Sequence, residues 1–477
     1  MIKQISLLLV ISFLLVSGCA TNPVSKESEF MLFSEQQEVE MGKEYHPQIS
    51  KLYIVYDDPE LIAYVDRVGL KVAAVSHRSN LDYTFTVLDS PIVNAFAVPG
   101  GYVYVTRGIL ERMNSEDELA SVLGHEIGHV SARHSMQRMS QQYGLMGVFL
   151  GVQLFGNSED FEQWSPWVNA GAYLTLLNYG REAEYQADRL GAEYAVAAGY
   201  SPKGSTDMLR MIRKLHDSEP NFIQELMATH PPPAVRVDRA RHTQREFESD
   251  VGMLAEKDNE YKTAIAGMVI GPNLHHGQAI GNAYFNKAYD CVFEFPASYT
   301  TYIGQPGYLF YGKEQDIEAL ALQKVDLEKN MSSRDFAKSI ETQAKISPKL
   351  TGSKTVAGIP GWIAKYEQGK DDNKQYISRF YWVKEKTGYI LSCVTSLQNR
   401  GRNDSTFNEA IATFRELTDA EKNKLSIKKL AVHTVLKGET IVSIAKKYNT
   451  TSEKIKEYNA LETTNLMDGQ KLKIPSS

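Results

Sequence analysis

The chain is poor in cysteine, has no long apolar run and leans to neither sign of charge. Three cysteines in 477 residues exclude a disulfide-built scaffold and a thiolate-rich metal site. The N-terminal apolar run, Ile5–Val16, has 12 residues interrupted only by Ser6 and Ser12. A bilayer span needs about 20, so neither this run nor the second one, Gly144–Gly156, reads as a transmembrane helix. Lysine and arginine number 52 against 58 acids, a net charge of −6. No basic surplus marks a nucleic-acid binder, and no nucleic-acid partner is expected. At this length more than one domain is expected.

What is present begins at the N-terminus. Lys3 precedes the apolar run, which ends in Val16-Ser17-Gly18-Cys19. That is the layout of a signal peptide, and the last four residues resemble the bacterial lipoprotein cleavage box. The resemblance implies removal of residues 1–18 and a lipid on Cys19. Ala20 follows, not the aspartate associated with inner-membrane retention, which implies the periplasmic face of the outer membrane. The polar residues 19–30 read as a tether.

The most informative segment is His125-Glu126-Ile127-Gly128-His129. Residues four apart lie above one another on one helix face. Two neutral imidazoles so placed can bind one Zn2+, and Glu126 between them can act as a general base on water. The helix is well specified. Ser115 with Glu118 forms a capping box, and Glu116, Asp117 and Glu118 suit the positive end of the helix dipole. Leu119, Val122, Leu123, Ile127 and Val130 form an apolar stripe at helical spacing.

A zinc hydrolase needs a third protein ligand and an open fourth position. Arg181–Asp188 reads as a second helix on which Glu184 and Asp188 share a face. Periodicity alone does not decide between Glu184 and Glu182. A three-histidine site would need a histidine six residues after His129, preceded by a glycine. Position 135 is Ser135 and position 132 is Ala132, so that site is excluded; His134 is off by one and would point elsewhere on a continuing helix.

These blocks resemble the zinc metallopeptidases that include the CAAX prenyl proteases, the membrane protease HtpX and periplasmic relatives. The resemblance covers about residues 28–245. It rests on Met31–Glu38, Asn94–Gly108, the motif helix, the Glu184–Asp188 helix and Thr229-His230-Pro231-Pro232, in that order. It implies a gluzincin fold, one Zn2+ per chain and endopeptidase activity. It assigns Glu184 as third ligand beside His125 and His129, and Asp188 as the acceptor that fixes the tautomer of His125. Ala95–Val98 and Tyr102–Thr106 read as strands around Pro-Gly-Gly. An edge strand there could hold an extended substrate by strand addition, which makes Asn94, Ala95, Phe96 and Ala97 candidate substrate-binding residues. His230, stiffened by the prolines after it, could stabilise the oxyanion or occupy the fourth position at rest. Arg236 is a second candidate contact for the developing negative charge.

The expected organisation is α+β and multidomain. The mainly helical protease, with a small sheet, occupies 31–250 and ends in a helix near Val235–Arg245; a linker with a helix at about 257–267 fills 251–279. An α+β domain spans 280–420, with strands at Cys291–Phe295, Gln375–Lys384 and Tyr389–Ser396 and helices at Ser332–Lys345 and Asn403–Leu417. Cys291 and Cys393 fall on its strands, either bridged or as two buried thiols. Residues 428–475 run strand, helix, helix, strand and resemble the lysin motif, LysM, which implies peptidoglycan as partner; the alternative is a lysin-like module that packs on the protease and binds no glycan. Nine lysines against five acids give this segment a net +4. Gly144–Gly156 reads as core by default, with a glycine-hinged lid as the alternative.

Together these features predict a lipid-anchored, wall-tethered zinc endopeptidase acting on misfolded or unassembled envelope proteins. The alternatives are a non-enzymatic envelope scaffold and a hydrolase of cell-wall peptides.

Overall fold

The structure is a computed structural model. It describes residues 19–142, 178–219, 223–230, 234–251, 258–297, 300–303, 309–313, 316–369 and 374–475. The signal peptide of residues 1–18 and the Gly144–Gly156 segment lie outside the described residues. The described residues form two compact units: those within 19–270 together with 429–475, and those within 271–428.

The first unit is built around one helix. Glu116–Ser131 starts at Ser115, whose side chain accepts from the Glu118 backbone N–H. Its whole length is buried, not only the apolar stripe. It packs against helices Pro59–Ala73, Arg181–Ala197 and Lys203–Ser218 and against strand Ala95–Val98, so no face is left for water. A three-stranded sheet runs alongside. Thr84–Leu88 pairs parallel with Tyr102–Thr106, which pairs antiparallel with Ala95–Val98. Ala95–Val98 is thus an edge strand. Gly100 and Gly101, at φ 79° and 95°, supply the left-handed turn between the two antiparallel strands.

The motif helix and Arg181–Ala197 cross at glycines. A Cβ on Gly124 would lie 2.7 Å from the Gly191 carbonyl oxygen, and one on Gly191 would lie 2.6 Å from the His125 nitrogen. This close approach brings the glutamate of one helix to the histidines of the other.

Residues 19–30 are not a free tether. Cys19–Thr21 pairs antiparallel with Ser28–Phe30. Asn22 is buried and donates to the Ala132 carbonyl, at the end of the motif helix, and to Glu29. Polar composition concealed this hairpin, because its anchor is itself a polar side chain.

The C-terminal segment has the expected order: strand Ala431–Thr434, helices Ile441–Lys447 and Ser452–Tyr458, strand Lys471–Ile474, with the strands antiparallel. It packs on the protease part of its own unit. Lys473 is fully buried, and its ammonium donates to the carbonyls of Glu111 at 2.7 Å and Met113 at 2.8 Å. Those are carbonyls at the C-terminal end of helix Arg107–Arg112, where a cation suits the negative end of the dipole. Tyr458 donates to Glu111 at 2.8 Å, and the Lys471 backbone donates to Asn259 at 2.8 Å.

The second unit holds a seven-stranded antiparallel sheet in the order Thr300–Ile303, Leu309–Lys313, Asp316–Asp326, Thr387–Ser396, Gln375–Lys384, Ile359–Gln368, Leu350–Val356. Along Gln375–Lys384 the side chains alternate between two cores. Phe380 and Trp382 pack with Phe407 and Ile411 of helix Arg400–Thr413. Ile377 and Tyr381 pack with Phe336 and Ala337 of helix Ser333–Gln343. The sheet is therefore covered by a helix on each face. A three-stranded meander, Gln278–Ile280, Ala283–Asn286 and Cys291–Glu294, completes the unit. Cys291 and Cys393 are both buried, and no disulfide joins them.

Candidate metal centre

Four buried groups converge between the two crossed helices: His125, His129, Glu184 and His230. Nε2 of His125 and Nε2 of His129 are 3.0 Å apart. Glu184 Oε1 is 3.3 Å from His129 Nε2, and Oε2 is 3.7 Å from His125 Nε2. Zinc at about 2.0–2.1 Å from each ligand gives a tetrahedron with edges of about 3.3 Å. The Nε2–Nε2 gap and the gap from His129 Nε2 to Glu184 Oε1 lie near that figure, so the donor set fits a zinc ion.

His230 lies beside these three. Its Nδ1 is 3.4 Å from His125 Nε2 and 2.9 Å from Glu184 Oε1. Helix Gln224–Thr229 delivers it, ending at His230, whose N–H bonds the Leu226 carbonyl. Its Nε2 lies 3.7 Å from Glu126 Oε1.

Glu126 is buried, and its Oε2 has no hydrogen-bond partner among the described residues. A cavity of about 20 Å3, bordered by Val122, Glu126, Met208, Ile212 and Met227, lies beside it. That is room for about one water. Burial pushes the Glu126 carboxyl up, towards the range of a working base.

The remaining contacts orient the ligands. His125 Nδ1 is 3.0 Å from Asp188 Oδ1, leaving Nε2 for the metal. Burial alone would raise the Asp188 carboxyl, but the Arg236 guanidinium and His125 hold it down at about 2. Burial would raise Glu184 too, yet His230, His129 and Arg236 hold it well below the carboxylate range. Burial pushes His129 well below its ordinary value and keeps it neutral, as a ligand must be.

Arg236 borders the same cavity as Glu126 and His230, but its guanidinium is held by carboxylates. Its Nη1 is 2.7 Å from Glu184 Oε2, and Nε and Nη2 are each 2.7 Å from the two Asp188 oxygens. A guanidinium so engaged has its fork filled by carboxylates. The Phe96 side chain stacks on Tyr104 at 4.9 Å inside an apolar cluster, and Asn94, Ala95 and Ala97 are buried as well. Strand addition along Ala95–Val98 would use its backbone.

His134 and Tyr179 were missed as neighbours of His129. The motif helix does not continue to His134. It stops at Ala132, and Arg133 takes φ 56°, a left-handed step held by Glu38 at 2.8 Å and the Phe33 carbonyl. The step swings His134 back, and its Nδ1 lies 2.9 Å from His129 Nδ1. Tyr179 stacks on the His129 ring at 4.0 Å. No residue type announces a left-handed arginine, so the sequence carried no signal for it.

A helix bearing His-Glu-x-x-His, crossed by a helix that adds a carboxylate, defines the class of HExxH metallopeptidases. Residues 59–244 match Peptidase family M48, and residues 433–475 match the LysM domain. The chain thus carries an M48 peptidase domain and a LysM domain. It is 30% identical over 221 residues to a putative beta-barrel assembly-enhancing protease of Vibrio cholerae, covering 44% of this chain and 45% of that protein. It is 25% identical over 242 residues to the beta-barrel assembly-enhancing protease of Escherichia coli K12, 49% of each chain. It is 31% identical over 160 residues to the mitochondrial metalloendopeptidase OMA1 of Arabidopsis thaliana, 33% of this chain and 31% of that one. The chain therefore spans about half the length of the bacterial relatives and less of the plant one. No described helix is long and apolar enough to cross a membrane.

Proposed function

We propose that the chain is a zinc-dependent endopeptidase of envelope proteins, lipid-anchored through Cys19 and held to peptidoglycan by its LysM module. The observation that carries this reading is the tetrahedral spacing of His125, His129 and Glu184 beside an unpartnered buried Glu126 oxygen. Zinc bound there would polarise the scissile carbonyl and acidify a water. Glu126 takes the proton from the attacking water and passes it to the leaving amine. Asp188 and Arg236 hold His125 and Glu184 in place. His230, the fourth buried group of the cluster, could also hold the metal at rest and would then have to move for substrate to enter.

The names of the bacterial relatives point to β-barrel assembly, which favours unassembled envelope proteins as substrates. The LysM module favours a wall-proximal position; its nine lysines against five acids suit acidic peptidoglycan peptides. Digestion of casein and of purified sacculi, each with and without chelator, tests the reading. Chelator-sensitive cleavage of casein, with sacculi intact, is the expected result. Cleavage of sacculi alone would make it a wall hydrolase, and cleavage of neither a scaffold.

A further inference from the structure

We propose that His134 and Gln186 are positioning residues that fix the tautomer of His129, as Asp188 fixes that of His125. The inference rests on the zinc-site reading above. His129 Nδ1 lies 2.9 Å from His134 Nδ1, and His134 Nε2 lies 2.9 Å from Gln186 Oε1. An amide oxygen can only accept. His134 therefore carries its proton on Nε2 and presents a bare Nδ1. That nitrogen accepts the proton of His129 Nδ1, so His129 Nε2 is left with its lone pair towards the metal.

The opposite arrangement breaks the site. If the amide nitrogen of Gln186 faced His134, the proton of His134 would sit on Nδ1. His129 would then have to accept at Nδ1 and carry its own proton on Nε2, where no metal could bind. Metal binding selects the orientation observed.

One helix thus governs three vertices. Along Arg181–Ala197, Glu184 is itself a candidate ligand, Asp188 orients His125, and Gln186 orients His129 through His134. Both histidine orienters are carried by the helix that crosses the motif helix at Gly124 and Gly191. His134 reaches its place only because Arg133 takes the left-handed step.

Nitrogen NMR of the full chain labelled with 15N-histidine reads the tautomers directly. His134 should be protonated at Nε2 and bare at Nδ1, in both zinc-loaded and chelator-treated protein. A proton on His134 Nδ1 would overturn the proposal. Zinc competition with a chelator gives a second, independent readout. Gln186→Met should weaken zinc binding about 10–100-fold. Gln186→Glu, which can only accept, should keep wild-type affinity or exceed it. A packing role alone predicts the reverse order, since methionine matches the shape and glutamate adds a charge. Wild-type affinity in Gln186→Met, or equal weakening in both variants, would therefore reject the idea. Failure of the zinc reading itself would show differently, as a wild-type chain that takes up no zinc.

Discussion

Arg236 is buried between two carboxylates, and its removal should be costly. Breaking a buried ion pair by deleting one partner costs about 3–5 kcal/mol. Arg236→Met should lower the unfolding free energy of the metal-free chain by that order, and Arg236→Lys should recover little, because an ammonium cannot bridge Glu184 and Asp188 with a planar fork. Urea unfolding checks both. The pH dependence has a definite sign. The folded Asp188 carboxyl sits at about 2, below its ordinary 3.8, so it contributes stability above 3.8 that is lost as pH falls towards 2. Without Arg236 that loss should begin at higher pH. His230 gives a spectroscopic prediction. X-ray absorption of the zinc-loaded wild type should report three imidazoles and one carboxylate, and His230→Ala should report two imidazoles.

At the scale of elements, the crossing of the motif helix with Arg181–Ala197 sets the geometry of the site. Gly191→Ala puts a methyl 2.6 Å from the His125 nitrogen, so the helices must part. Overpacking of this kind costs about 1–3 kcal/mol. Thermal unfolding should show that loss, and zinc affinity should fall with it because Glu184 moves away from the histidines. Much at this scale was legible in the sequence. Ser115 set the start of the motif helix, and the strand at Gln375–Lys384 has the bounds its alternation and its flanks imply. Helix ends were less so: the helix expected at Asn403–Leu417 runs from Arg400 to Thr413. His125 and His129 were legible because their spacing is chemical, whereas Glu184 and Asp188 came from the resemblance. The place of His134 beside His129 was not legible, because Arg133 breaks the helix without a glycine, and Gln186 has no periodic partner. Sequence gives a residue's chemistry but not the partner that occupies it, as the two carboxylates on Arg236 show.

For the molecule as a whole, the lysin module is packed on the protease and not hung from it. Lys473 is the anchor, and burial pushes its ammonium below the ordinary lysine range. Lys473→Met would leave buried carbonyls of Glu111 and Met113 without their donor, at about 1–3 kcal/mol. The protease should then unfold at lower temperature, and deletion of residues 428–477 should lower it at least as far. Unchanged unfolding in either variant would mean that the module contributes nothing to the protease. The sequence foretold the module and left its docking as the alternative, but it did not point to the anchor, since a lysine among nine does not declare that it is the buried one.

On the proposed reading, His125, His129 and Glu184 hold one zinc ion and Glu126 moves the proton. The most direct test is Glu126→Gln, with zinc content and casein cleavage measured on the same preparation. One zinc per chain in both proteins, with cleavage only in the wild type, is the predicted result. Cleavage by the variant at the wild-type rate, or a wild type without zinc, would contradict it.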